Sequence, residues 1–163
     1  TPACESLDLG SIVLRRPGTG PRRLIAKASF STSSTVDALA HGLAVRVLDG
    51  QVALVDAQLG GAGAPLQFTA SGARSIYADP SGQVAGVKLA KLVPGTVGVD
   101  GRRRFTVNLR IEGAALATLA PPALPAMRLR FDLQPPCAAT RKQGVVCQWL
   151  NGGASLRCTA PTG

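Results

Sequence analysis

The chain has 163 residues and a mass of 16.6 kDa, one ordinary domain's worth of protein and enough to bury its own core, which argues against a two-domain enzyme. Lys and Arg total 18 against 9 Asp and Glu, a net charge of +9, yet 45% of residues are apolar and only 17% charged, a balance that excludes a disordered chain. With 19 Gly, 12 Pro and six aromatic residues, the composition reads as a loop-punctuated fold built from small aliphatic side chains.

Period-two patterning runs from end to end. It predicts strands over 11–16, 22–30, 42–48, 51–58, 66–70, 74–78, 84–92, 103–112, 126–134, 144–150 and 154–159. Leu24, Ala26, Ala28 and Phe30 alternate with Ile25, Lys27 and Ser29. Phe105, Val107, Leu109 and Ile111 alternate with Arg104, Thr106, Asn108 and Arg110, and Leu129, Phe131 and Leu133 with Arg128, Arg130 and Asp132. Each of these strands buries one face and wets the other. Residues 34–41 alone suit a short helix, with a Ser or Thr as N-cap and Asp37 in the first turn, where a negative charge suits the helix dipole. Asp49-Gly50 reads as a two-residue turn that pairs Val47 with Val52 and Val45 with Leu54, and sets Asp56 on that face opposite Leu43. Further turn signals stand at Pro17-Gly18-Thr19-Gly20-Pro21, Asp79-Pro80-Ser81-Gly82, Asp100-Gly101 and Asn151-Gly152. No segment supplies the crossover helix that a parallel βαβ unit needs. The expected fold class is therefore all-β: an antiparallel two-sheet sandwich, immunoglobulin-like or jelly-roll-like, of about ten short strands with little helix. It is read as a single domain over 1–163 with a C-terminal disulfide hairpin at 144–159.

Cys4, Cys137, Cys147 and Cys158 form an even set without a CxxC pair, and His41 is the only histidine, so two disulfides are expected rather than zinc or free thiols. No metal or cofactor is expected. Disulfides imply export, to a secreted, periplasmic or cell-surface location. No leader precedes Thr1, and the start is read as a processed mature terminus or an artificial boundary. No run approaches the ~20 apolar residues of a membrane helix. The most apolar stretch, 113–127, is broken by Pro121, Pro122 and Pro125, so the mature chain is expected to be soluble. A hairpin register centred on Gly152-Gly153 sets Leu150 opposite Ser155, Trp149 opposite Leu156 and Cys147 opposite Cys158, close enough for a bond, which leaves Cys4 for Cys137. The rival pairing joins Cys137 to Cys147 across Lys142-Gln143-Gly144 and Cys4 to Cys158.

A strand ending Leu14-Arg15-Arg16, the strand Lys27-Ala28-Ser29-Phe30, the hairpin around Asp49-Gly50, the turn Tyr77-Ala78-Asp79-Pro80-Ser81-Gly82 before Val87-Lys88-Leu89, and a late Cys-rich hairpin together resemble uncharacterised secreted β-sandwich modules of GC-rich bacteria. The resemblance spans most of the chain, implies an exported bacterial β-sandwich and assigns no catalytic residue.

Catalytic constellations are thin. A Ser-His-Asp triad would have to use His41, at a strand edge without a Gly-x-Ser-x-Gly elbow, and reads as a surface or capping residue. Glu5 and Glu112 are the only glutamates; Asp49, Asp79 and Asp100 belong to turns, and Asp8, Asp37, Asp56 and Asp132 remain. Asp56 is the candidate for a partly buried carboxylate. Gly60-Gly61-Ala62-Gly63 lacks the Lys-Ser/Thr of a phosphate loop and reads as a flexible loop.

Arginine carries the functional signal. Fourteen Arg outnumber 4 Lys, a bias that fits a GC-rich genome as well as a ligand. Arg15, Arg16, Arg22 and Arg23 flank one turn, Arg102, Arg103, Arg104 and Arg110 form a second group, and Arg128 and Arg130 share a strand face. Converging, they would make a cationic strip for sulfate, phosphate or carboxylate groups. Phe30, Phe105 and Phe131 fall on apolar faces and Phe68, Tyr77 and Trp149 have core or hairpin roles, which speaks against sequence-specific nucleic-acid recognition by stacking. The expected function is a non-catalytic extracytoplasmic β-sandwich acting by protein association, as a structural subunit or accessory module, with another protein or copies of itself. The alternatives are a binder of acidic polysaccharide or another polyanion through the Arg clusters, and a small secreted hydrolase.

Overall fold

The computed structural model describes residues 4–15, 22–113, 116, 119, 123–133, 137–140 and 145–159. Alternating apolar residues between Gly, Pro and Asp turns form strands: β1 (Glu5–Arg15), β2 (Arg23–Thr32), β3 (Leu43–Asp49), β4 (Val52–Leu59), β5 (Thr69–Ser71), β6 (Arg74–Ala78), β7 (Val87–Val97), β8 (Arg103–Glu112), β9 (Met127–Asp132), β10 (Cys137–Thr140), β11 (Val146–Leu150) and β12 (Ser155–Thr159). One short helix, α1 (Ala38–His41), lies between β2 and β3. The chain is all-β, as its patterning predicts.

The expectation of two facing sheets and about ten strands is corrected. Twelve strands join in one sheet, ordered β4-β3-β9-β10-β1-β2-β8-β7-β6-β5, with β12 beside β1 and β11 beyond it, and this sheet curls into a half-barrel. Strand β1 makes the ladder continuous: residues 5–7 pair with β10, residues 12–15 pair with β12, and β2 runs along its other side. The β1–β10 pair is the one parallel pairing among the described strands. It needs no crossover helix because the whole intervening fold makes the connection.

Three strand pairs depart from regular register: β1–β2, β3–β4, and β7–β8, which shifts between Val87 and Leu89 and again between Pro94 and Val97. In β1 the register shifts between Leu9 and Ser11, so Leu7 and Leu9 before Gly10 and Ile12 and Leu14 after it all point into the core. The β3–β4 hairpin turns at Gly50-Gln51, with Asp49 opposite Val52, and then shifts so that Val47 faces Val55 and Val45 faces Ala57. The pairing of Val47 with Val52 is therefore wrong. Leu54 and Val55 are both buried, and Asp56 turns outward opposite Arg46. The helix is also shorter than expected: Asp37 is its N-cap, accepting from the Ala40 amide at 3.1 Å, rather than a first-turn residue.

Both disulfides follow the first of the two pairings. Cys4 is bonded to Cys137 and Cys147 to Cys158, and Leu150, Trp149 and Cys147 oppose Ser155, Leu156 and Cys158. The buried side chains form one contiguous cluster on the inner side of the curl. Within it Phe30 and Phe105, opposite one another across β2–β8, stack at 5.6 Å. With apolar residues committed inward, the outward positions of the sheet carry the charge.

Candidate functional site

Across the outer face of β12, β1, β2, β8 and β7, cations recur strand by strand. Arg15 pairs in register with Arg23, Arg23 with Glu112, Arg157 with Val13, Ile25 with Arg110, and Lys27 and Lys91 both with Asn108. Glu112 organises part of this face. Its side chain is only 8% exposed, and its carboxylate accepts from Arg23 Nε at 2.9 Å, Lys88 Nζ at 3.0 Å and Arg110 at 3.3 Å. Lys88 foremost, then Arg23 and Arg110, hold its pKa down to about 2 against the cost of burial. Three cations on one carboxylate leave a surplus of positive charge. A buried Arg110 Nε has no hydrogen-bond partner among the described residues, so that guanidinium is fixed by its outer nitrogen alone.

Local backbone chemistry places Glu112. The Glu112 amide donates to Gly86 O at 2.8 Å, and Gly86, at φ +80°, lies so close that a Cβ there would come within 2.1 Å of Glu112 O. Gly86 is held in turn by the Asp79 turn, through its amide to Gly82 O at 3.1 Å and the Gly82 amide to Asp79 O at 3.0 Å. Asp79 accepts from the Ser81 hydroxyl at 2.6 Å and the Gln83 amide at 2.9 Å, and the Ser81 contact foremost lowers its pKa.

Arg15, Lys27, Lys91 and Arg157 stand on the same outer face without a carboxylate in ion-pair reach among the described residues. Arg15 and Arg157 line a groove of about 460 Å³ over Val13, Leu150 and Ala154, with Asn151 and Ser155 at its polar edge.

The arginines singled out by sequence divide into separate groups. Arg15, Arg23 and Arg110 come together; Arg16 lies outside the described residues. Arg22 is drawn off to the carbonyls of Leu119 at 2.6 Å and Leu116 at 3.3 Å. Arg102 pairs with Glu5 and donates to Ser31 O, and Arg104 pairs with Asp8 at 3.6 Å. Arg103 donates to Gly95 O at 3.2 Å. Arg128 and Arg130 lie on β9 opposite Leu48 and Arg46, on the other arm of the sheet. Sequence reasoning missed Lys27, Lys88, Lys91, Arg157 and the central role of Glu112. Four of these five were findable as outward positions of alternating strands, and Lys88 was hidden by the register shift between Val87 and Leu89.

Elsewhere the ionisable groups read as structural. His41 is exposed at the end of α1, and its carbonyl accepts from Gln58 Nε2. Asp56 is exposed and paired with Arg46 at 3.5 Å, which removes the expected partly buried carboxylate. The tyrosine hydroxyl of Tyr77 is buried beside Phe68 without a hydrogen-bond partner among the described residues, and burial, then the Asp79 charge, raise its pKa. The loop read as flexible is pinned: Gln67 bonds both the amide and the carbonyl of Gly61. Among the described residues, no group of three or more His, Cys, Asp or Glu converges, and no helix is long and apolar enough to cross a membrane. The chain matches no protein-family model, no curated protein and no solved structure.

Proposed function

We propose that this protein is a non-catalytic extracytoplasmic module that works by association, and that it associates through the cationic outer face of β12, β1, β2, β8 and β7 with an anionic partner. The observation that carries the reading is the surplus on that face: Arg23, Lys88 and Arg110 share one carboxylate, while Arg15, Lys27, Lys91 and Arg157 have none. Fixed guanidinium groups favour carboxylate and sulfate by charge-assisted hydrogen bonds, and a field of one sign draws in an anionic ligand. The two disulfides support an oxidising, exported setting.

Open strand edges are the rival surface for association. The terminal strand β4, however, carries a bulge and the exposed Asp56, both of which disfavour pairing with a further strand. The face is therefore the better candidate. Retention of the full chain on a heparin resin tests it: elution at well above physiological salt, shifted to low salt by Arg15→Glu with Lys91→Glu, is the expected result. Equal retention of that double variant and wild type, or flow-through of both, overturns it.

A further inference from the structure

We infer that the groove lined by β1, β12 and the β11–β12 turn is a saccharide subsite, and that the ligand of the outer face is an acidic polysaccharide lying across the strands. This rests on the anionic-partner reading and adds the shape of the ligand. A bare polyanion needs only charge. This groove also offers an apolar floor, because Val13, Leu150 and Ala154 line it together with Arg15 and Arg157. The floor continues sideways, since Val13 faces Ile25 on β2, and Ile25 is 40% exposed. Arg157, Val13, Ile25 and Arg110 thus form one row across four strands, with two apolar residues between two guanidinium groups.

Beside it runs the row Ser155, Arg15, Arg23 and Glu112. Neighbouring strands lie about 4.8 Å apart, so the arginines of β12, β1, β2 and β8 recur at short intervals across the sheet. A sugar ring has one C–H-lined face and equatorial oxygens at its rim. Laid on Val13 and Ile25, it turns carboxylate or sulfate substituents outward to Arg15, Arg157, Arg23 and Arg110, while Ser155 and Asn151 meet its hydroxyls. The groove's volume of about 460 Å³ accommodates a small part of such a chain and leaves the rest to the open face.

Titration calorimetry of the full, oxidised chain at physiological salt tests this with two probes, a heparin hexasaccharide and a linear polyphosphate of equal charge. The hexasaccharide is expected to bind at least tenfold more tightly. Arg15→Gln with Arg157→Gln should weaken it tenfold or more, and Ile25→Ser or Val13→Thr, which leave charge unchanged, severalfold. Ile25 is exposed enough for its substitution to spare the fold, and circular dichroism checks each variant. Equal affinity for polyphosphate, with no effect of the two floor substitutions, overturns the saccharide subsite while leaving the anionic-partner reading intact. Failure of both probes to bind removes both.

Discussion

Arg23 and Glu112 face one another across the β2–β8 ladder, and Arg23 Nε donates to Glu112 Oε1 at 2.9 Å. The same carboxylate takes Lys88 and Arg110, so a single acidic side chain holds cations from three neighbouring strands in one arrangement. Isolated surface ion pairs contribute little. Here the shared carboxylate is nearly buried, and removing its charge leaves three donors facing a weaker acceptor.

Glu112→Gln is expected to cost about 1.5–3 kcal/mol in denaturant unfolding, the range for hydrogen bonds to charged groups. The effect has a pH signature. Because the folded pKa lies below the ordinary 4.5, the carboxylate stabilises fully above that value and loses its contribution as pH falls from 4.5 toward about 2. Wild type minus variant, followed by urea midpoints, should shrink across that window. A difference that stays constant from about pH 6 to about pH 2 contradicts the role given to Glu112.

Gly86 is predicted to be the least replaceable glycine near this face. Alanine at Gly86 meets a strained φ and a Cβ position 2.1 Å from Glu112 O, so the β7–β8 backbone must shift. Gly50, at φ +62° with nothing within 4 Å, bears the dihedral cost alone. Gly50→Ala should destabilise by about 1 kcal/mol and Gly86→Ala by about 3 kcal/mol or more. Thermal unfolding of the two variants compares them directly, and similar melting shifts would disprove the close contact.

What the sequence made legible, and what it hid, follows from the range of the interactions. Strands β6 and β8 could be bounded to the residue because alternation and local turns decide them, and the Cys147–Cys158 register follows from the turn between the two cysteines. The first half of β1 could not. Leu7, Leu9, Ile12 and Leu14 break period two at the Gly10 bulge, which only the packed sheet reveals. Strand β10 is a four-residue segment whose parallel partner lies at the far end of the chain. The curl is likewise a sum of twist and pairing that no local pattern encodes. For the site, outward alternation identifies Arg23 and Arg110, but which arginines meet depends on strand order. That order sends Arg22 to the Leu119 carbonyl and Arg102 to Glu5.

The β3–β4 bulge predicts opposite outcomes for adjacent residues. Val55 is buried, and Asp56 makes an exposed pair with Arg46 at 3.5 Å. Val55→Ala should cost about 1–3 kcal/mol through lost burial, whereas Asp56→Ala should stay within about 0.5 kcal/mol of wild type. Without the bulge, Val55 would point to solvent and Asp56 inward, and the two costs would exchange. Chemical denaturation of both variants therefore reads out the register.

The two disulfides should differ in what they contribute. Cys4–Cys137 spans 133 positions and Cys147–Cys158 only 11. In the chain-entropy model these closures stabilise by about 5 and about 3 kcal/mol respectively. Cys4 also sits at the head of β1, and Cys137 opens β10, so the long bridge clamps the parallel pair that joins the two arms of the sheet. Cys147 and Cys158 already oppose one another within a hairpin held by its own ladder. Replacing Cys4 and Cys137 by Ser should therefore lower the unfolding midpoint more than replacing Cys147 and Cys158. Both should lie below the oxidised wild type, and the reduced wild type below either. Guanidinium titrations of the three oxidised proteins, with the reduced wild type as reference, measure this order. Equal midpoints for the two double variants would mean that the parallel β1–β10 junction holds without its covalent clamp.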